Sequence, residues 1–219
     1  LNYALYYECP TNCTLGNKCQ NQRMRRNFYK KLTVYDSGSA KGLAVMNQEV
    51  INEDEYICEY TGVVIDLSAA MGSKTTNCSS YCIGNKDIMI DAEVIGSVAR
   101  YINHSCDPNC VVIPWVVDGY YRLGIFAKRY INKREELTID YKWEAKPGQD
   151  KITCLCGAKN CRKTIHSFNK HDLGWIFMKE NGQWHQTAEA PTNQLFWQLA
   201  GDEKKDQKMI VSVRKIMNG

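Results

Sequence analysis

Residues 100–110 read Arg100-Tyr101-Ile102-Asn103-His104-Ser105-Cys106-Asp107-Pro108-Asn109-Cys110. Nine of these eleven side chains are polar or cysteine. Such a density of hydrogen-bonding groups suits a loop that crosses close to a bound polar ligand. The stretch is ambiguous on its own, because a lone His104 is more often a hydrogen-bonded structural histidine than a catalyst. Its meaning depends on what surrounds it.

The 219-residue chain is 44% hydrophobic and 24% charged, ordinary values for a globular domain. That length buries one substantial core, with room for a small satellite module. No run reaches the roughly eighteen apolar residues that a membrane span requires. The chain opens on Leu1 and no basic-then-apolar signal segment follows, so it reads as a piece of a longer protein. Net charge is +4, from 28 Lys and Arg against 24 Asp and Glu. Arg23, Arg25, Arg26, Lys30 and Lys31 fall close together. The plain reading of that cluster is a solvated face; the sharper one is contact with an acidic polymer such as nucleosomal DNA.

Eleven cysteines are many, and an odd number without a secretory signal argues against a disulfide framework. Cys154, Cys156 and Cys161 follow C-x-C-x4-C spacing, and Cys9, Cys13 and Cys19 form a second tight group. Thiolates so close together converge on one tetrahedral zinc more readily than they close an unstrained disulfide. Cys58, Cys78 and Cys82 read as small buried apolar residues.

Three zones follow along the chain. Residues 1–31 are basic and Cys-rich, too short to fold without a staple. Residues 32–145 read as short strands between turn signals, at 32–35, 42–46, 56–65, 88–91 and 136–141. The clearest is a hairpin, 111–117 and 120–127 about Asp118-Gly119, which supplies the positive φ angles of a type I′ turn. Short helices are expected at 67–71 and 93–101. Beyond 165 the chain is too aromatic for a disordered tail; a helix is expected over 192–199, and a strand or helix end over 211–216. No function attaches to 166–219.

Four motifs then stand in order: Glu59-Tyr60-Thr61-Gly62-Val63, RYINHSC from Arg100, ELTIDY ending at Tyr141, and CLCGAKNC from Cys154 to Cys161. Any one is weak; together they resemble the SET-domain protein lysine methyltransferases. ECPTNCTLGNKCQNQR, from Glu8 to Arg23, resembles the AWS (associated-with-SET) region. The combination is similar to nuclear histone H3 methyltransferases of the trithorax-group "absent, small or homeotic discs" type. The resemblance implies a mainly β fold with short helices, a β-clip of small curled sheets with a pseudoknot. It divides the chain into an AWS segment (1–31), a SET domain (32–145), a post-SET zinc segment (146–165) and an extension (166–219).

It also implies roles. Transfer from S-adenosylmethionine to a histone H3 tail lysine, lysine thirty-six on nucleosomes, is the expected reaction, in the nucleus, by a fragment that is monomeric. Asn103 and His104, threaded beside Tyr141, would hold the donor with Arg100, Lys41 and Gly42. Tyr141 and Tyr81 would be the catalytic pair, and Ile139 and Trp143 would line the lysine channel. The fourth ligand of the Cys154–Cys156–Cys161 zinc would be Cys106, with Cys110 its rival; the Cys9–Cys13–Cys19 site would find its fourth upstream. Several positions depart from the family pattern. Ala40-Lys41-Gly42 stands where Gly-x-Gly is usual, Val63 replaces a glutamate, Ser97 an asparagine, and Ile139 an aromatic that limits methyl number. These departures keep two alternatives open: a weak or inactive module acting as a chromatin scaffold, and a methyltransferase for a non-histone protein.

Overall fold

The computed structural model describes residues 6–66, 82–84, 88–144, 151–167, 177–180 and 183–186. They form β1 (Tyr6–Tyr7), β2 (Leu32–Asp36), β3 (Leu43–Asn47), β4 (Tyr56–Tyr60), β5 (Val63–Asp66), β6 (Cys82–Gly84), β7 (Ile88–Asp91) and β8 (Asn103–His104). Then follow β9 (Cys110–Val117), β10 (Tyr120–Ala127), β11 (Thr138–Ile139), β12 (Trp143–Glu144), β13 (His166–Ser167), β14 (Phe177–Glu180) and β15 (Gln183–Gln186). Two 3-10 turns, Gly16–Lys18 and Val98–Tyr101, are the helical elements among the described residues. None is long and apolar enough to cross a membrane.

The organising element is the β9–β10 hairpin. Asp118 and Gly119 both adopt positive φ, 55° and 79°, the backbone that a two-residue hairpin turn demands. Period-two alternation sends Val111, Ile113, Trp115 and Val117 to one cluster, with Met24, Tyr56 and Phe126. Cys110, Val112 and Ile125 go to the other, with Ile57, Ile102, Leu137 and Ile139. Both faces are therefore covered, which is why β9 is apolar almost throughout. The four-stranded sheet runs β1-β9-β10-β4. Pro114 cannot donate to a ladder, and β1 pairs β9 at Trp115 and Val116, just past it. Around this sheet lie the β2–β3 hairpin, the β5-β7-β6 sheet and three two-stranded pairings.

The N-terminal Cys-rich segment docks on the outer cluster. Buried Glu8 accepts the main-chain N–H groups of Met24 and Arg25 at 2.6 and 3.0 Å, and Arg23 lies 5.0 Å over the Trp115 ring. Arg25 pairs with Asp118, Arg26 donates to the carbonyls of Asn17 and Gly16, and Lys30 pairs with Glu55 at 3.1 Å. Most of the basic cluster is thus engaged within the chain rather than set out as a free row of cations.

Two expectations need correction. The strand expected over 56–65 is two, β4 and β5, broken at Thr61-Gly62. A Cβ on Gly62 would sit 2.3 Å from the Asp91 carbonyl oxygen, so this is a crossing point for backbone. The helix expected over 93–101 shrinks to the Val98–Tyr101 turn. The guanidinium of Arg100 takes the carbonyls of Ala92 and Glu93 at 3.1 and 3.2 Å, a side-chain substitute for helical bonding. The segments 67–71, 192–199 and 211–216, and the Cys78 and Cys82 side chains, lie outside the described residues.

Candidate functional site

The polar loop and the strand end before Tyr141 meet. β8 pairs parallel with β11, Asn103 opposite Thr138 and His104 opposite Ile139. Parallel neighbours cannot be joined by a tight turn, and here the long β9–β10 hairpin intervenes. β11 stops at Ile139, although 136–141 reads as one strand. Past it, the main-chain N–H of Tyr141 donates to His104 Nδ1 at 3.1 Å, and the Tyr141 hydroxyl donates to the Ile102 carbonyl at 3.0 Å. The two rings lie 5.4 Å apart, and the Trp143 ring lies 5.2 Å from that of Tyr141.

The tautomer of His104 follows. Its Nδ1 accepts an amide proton, so the ring proton belongs on Nε2, which faces Cys106 Sγ at 3.4 Å. Burial, opposed by the Asp140 carboxylate, lowers its pKa to about 4, so the ring is neutral near pH 7. Tyr141, Trp143 and Arg100 line a small cavity with Tyr60, Ile83, Ile102 and Ile139. Apolar and aromatic walls with few polar groups suit an aliphatic side chain carrying one polar end.

Asn103 and Lys41 converge on one carboxylate. Asn103 Nδ2 donates to the Leu43 carbonyl at 3.0 Å and to Glu136 at 3.2 Å, and the Lys41 ammonium meets Glu136 at 2.7 Å. Gly42 has φ of 73°, which turns the chain from Lys41 into β3. Arg100 also donates to the Tyr101 hydroxyl. Ser97 Oγ donates to the Glu59 carbonyl at 2.6 Å and accepts from the Thr61 N–H at 3.4 Å, so it ties the Val98–Tyr101 turn to the β4 exit. Tyr81, expected beside Tyr141, lies outside the described residues.

The cysteines separate as their chemistry requires. Sγ atoms of Cys106, Cys154, Cys156 and Cys161 all lie within 4.8 Å of one another. Cys106 Sγ is 3.7 Å from Cys154 Sγ and 4.0 Å from Cys161 Sγ. A thiolate tetrahedron around zinc has edges of roughly 3.8 Å, from Zn–S bonds near 2.3 Å, so the donor set fits that ion. Main-chain N–H groups of Cys106 and Arg162 point at Sγ atoms of Cys156 and Cys106 at 3.5 and 3.3 Å, as thiolates require. Although burial raises it, the Cys106 and Ala158 amides and the thiols of Cys154 and Cys161 draw the Cys156 thiol down to about 6. Cys110 is no rival: it is fully buried in the core, its thiol on Asn109 Oδ1 at 3.3 Å. The thiols of Cys9, Cys13 and Cys19 form a second group, three donors with no fourth cysteine among the described residues.

Three site residues take no role from the sequence, although Tyr60 and Asp140 stand inside quoted motifs. Tyr60 ends an entirely buried strand and lines the cavity. Asp140 and Arg162 form a two-pronged ion pair at 2.8 and 2.8 Å; adjacency to Tyr141 and Cys161 was the available hint.

Comparison with known proteins identifies two domains. Residues 42–142 match the SET domain model and residues 1–27 the AWS domain model. The chain belongs to the SET-domain family. It is 39% identical over 80% of its length to a Debaryomyces hansenii "Histone-lysine N-methyltransferase, H3 lysine-36 specific", of which it spans 25%. With "Histone-lysine N-methyltransferase ash1" of Drosophila melanogaster it shares 36% over 75% of the chain and 8% of that protein. Among solved structures, the methyltransferase domain of human SETMAR superposes with a TM-score of 0.62 at 26% identity, covering 76% of this chain and 71% of that one. KRYPTONITE, solved in complex with mCHG DNA and SAH, gives 0.64 at 32%, covering 74% and 34%. The SET family's mainly β architecture is the one seen here.

Proposed function

We propose that the chain is the catalytic part of an S-adenosylmethionine-dependent histone-lysine N-methyltransferase, acting on lysine thirty-six of histone H3 in nucleosomes, in the nucleus. The observation that carries this reading is Tyr141, whose hydroxyl donates to the Ile102 carbonyl at 3.0 Å and which lines a small cavity with Arg100, three isoleucines, Tyr60 and Trp143. The similarity to histone-lysine N-methyltransferases, one of them H3 lysine-36 specific, supports the histone target.

The chemistry required is modest. The donor's sulfonium would supply an electrophilic methyl: a neutral lysine amine would attack its carbon in line, the C–S bond would break, and S-adenosylhomocysteine would leave as the neutral thioether. Free lysine has a pKa of about 10.4, so the ammonium must first shed a proton. Enclosure by Ile139, Ile83 and Trp143 disfavours its charged form. The Tyr141 hydroxyl donates its proton to Ile102, so a hydroxyl oxygen's lone pairs would be what orients an amine N–H or receives a polarised methyl C–H. Positioning of this kind removes several kcal/mol from a barrier. Asn103, Lys41 and Arg100 would be the polar groups that hold the donor, with Gly42, at φ 73°, shaping the turn. The four-cysteine group would hold a structural zinc: four sulfurs leave no open position for water. The Cys9–Cys13–Cys19 group would hold another.

Incubation with S-adenosylmethionine and recombinant nucleosomes, read by tandem mass spectrometry of H3 peptides, tests the assignment. The expected result is a methyl on lysine thirty-six. Transfer to another lysine would refute the target, and absence of transfer with absence of S-adenosylhomocysteine binding would favour a scaffold.

A further inference from the structure

Asp140 and Arg162 have no part in the chemistry above, yet they join its two halves. Asp140 stands directly before Tyr141, where the β11 ladder has already ended. Arg162 stands directly after the last cysteine of the metal-binding group. The guanidinium delivers two parallel N–H bonds to the Asp140 carboxylate, both 2.8 Å. The main-chain N–H of the same arginine donates to Cys106 Sγ at 3.3 Å. The carboxylate also accepts the Lys142 N–H at 3.1 Å, holding Lys142 at φ 50°, and lies 3.5 Å from His104 Nδ1.

We propose that Asp140 and Arg162 are positioning residues: their two-pronged ion pair transmits the order of the four-cysteine loop to the main chain of Tyr141 and so aims its hydroxyl into the cavity. This rests on the catalytic reading of Tyr141.

The reasons are geometric. Residues 140–142 leave the β11 ladder, so side chains must fix what strand pairing does not. Asp140 is held from both sides of Tyr141, by Arg162 across the chain and by the Lys142 amide beyond. An isolated surface ion pair is a weak constraint. This one differs because the fork fixes direction as well as distance, and its carboxylate is only 19% exposed. A lysine at 162 would keep the charge without the fork, which separates alignment from attraction.

The test uses the zinc-loaded protein and the variants Arg162→Gln, Arg162→Lys and Asp140→Asn. The pair predicts a kcat about tenfold lower in Arg162→Gln, with KM for nucleosome and donor within twofold. Arg162→Lys should fall between that variant and the unaltered protein. Amide hydrogen exchange over 140–142 should quicken about tenfold in Arg162→Gln, while the β9–β10 hairpin and the bound zinc per chain stay unchanged. Asp140→Asn should match Arg162→Gln, and combining the two should cost little more than either alone. Zinc lost in step with activity would make Arg162 a structural part of the cysteine loop and overturn the proposal, as would unchanged exchange at 140–142. Exchange needs no turnover. A protein inactive on every substrate but showing the predicted exchange pattern would therefore sink the methyltransferase reading and leave the coupling standing.

Discussion

Replacing Cys106 by serine removes one corner of the four-sulfur group and should uncouple the segment after Cys154 from the loop beneath it. Cys106 Sγ lies 3.7 and 4.0 Å from two of its partners, so it shares in the tetrahedron fully. Zinc held by a structural site contributes roughly 10–16 kcal/mol, about 3–4 per thiolate. Water or the serine hydroxyl recovers part of this, leaving a loss of about 2 kcal/mol, or about thirtyfold in zinc affinity. Competition with a chromophoric chelator reads that number directly. Exchange should rise over 154–166, where few backbone bonds besides Cys154 to Lys163 and Ile165 to Ile152 hold the loop, and remain slow in the β9–β10 hairpin. Cys110→Ser is the control: a buried hydroxyl there should lower stability by about 1–3 kcal/mol with zinc affinity unchanged. If Cys106→Ser kept its affinity within threefold while Cys110→Ser lost it, the ligand assignment would be wrong.

Acid should weaken the fold through His104. Its pKa falls from 6.5 to about 4 on folding, so the unfolded chain binds the extra proton and stability declines as pH drops from about 6.5 toward 4. The contribution lost by pH 5 is about 2 kcal/mol, measurable by urea unfolding and reduced in His104→Gln; a profile identical in that variant would remove His104 from the account. Gly62→Ala should destabilise by about 2–4 kcal/mol, because its methyl would sit 2.3 Å from a backbone carbonyl; calorimetry showing less than about 0.5 would contradict the crossing seen there. Ile139→Phe should reduce the number of methyls added by narrowing the cavity and lower stability by about 1–3 kcal/mol through overpacking of a side chain only 1% exposed; an unchanged product distribution by mass spectrometry would place that limit elsewhere.

What the sequence makes legible here is what local rules dictate. Asp118-Gly119 announces its hairpin because only certain residues accept positive φ in sequence. Cysteine spacing announces the three thiols after 153, since close thiolates have few other uses. Strands β2, β3 and β7 follow from short apolar runs between turn residues. The break at Gly62 is invisible locally, because its cause is the Asp91 carbonyl. The helix expected over 93–101 fails because Arg100 satisfies carbonyls that a helix would have used. The basic cluster reads as a solvated face or a polyanion contact, and folding brings Asp118, Glu55 and Trp115 beside it. Asp140 and Arg162 stand 22 positions apart, and only folding joins them. Resemblance, and not spacing, joined Cys106 to the later cysteines.

Tyr141 decides the matter most directly. Tyr141→Phe removes one hydroxyl and its 3.0 Å bond to Ile102, at a stability cost of about 1 kcal/mol. With S-adenosylhomocysteine affinity and methyl transfer to nucleosomes measured on the same preparation, the variant should bind within about threefold of the unaltered protein and transfer at least about a hundredfold more slowly. Transfer at the full rate would contradict the assignment.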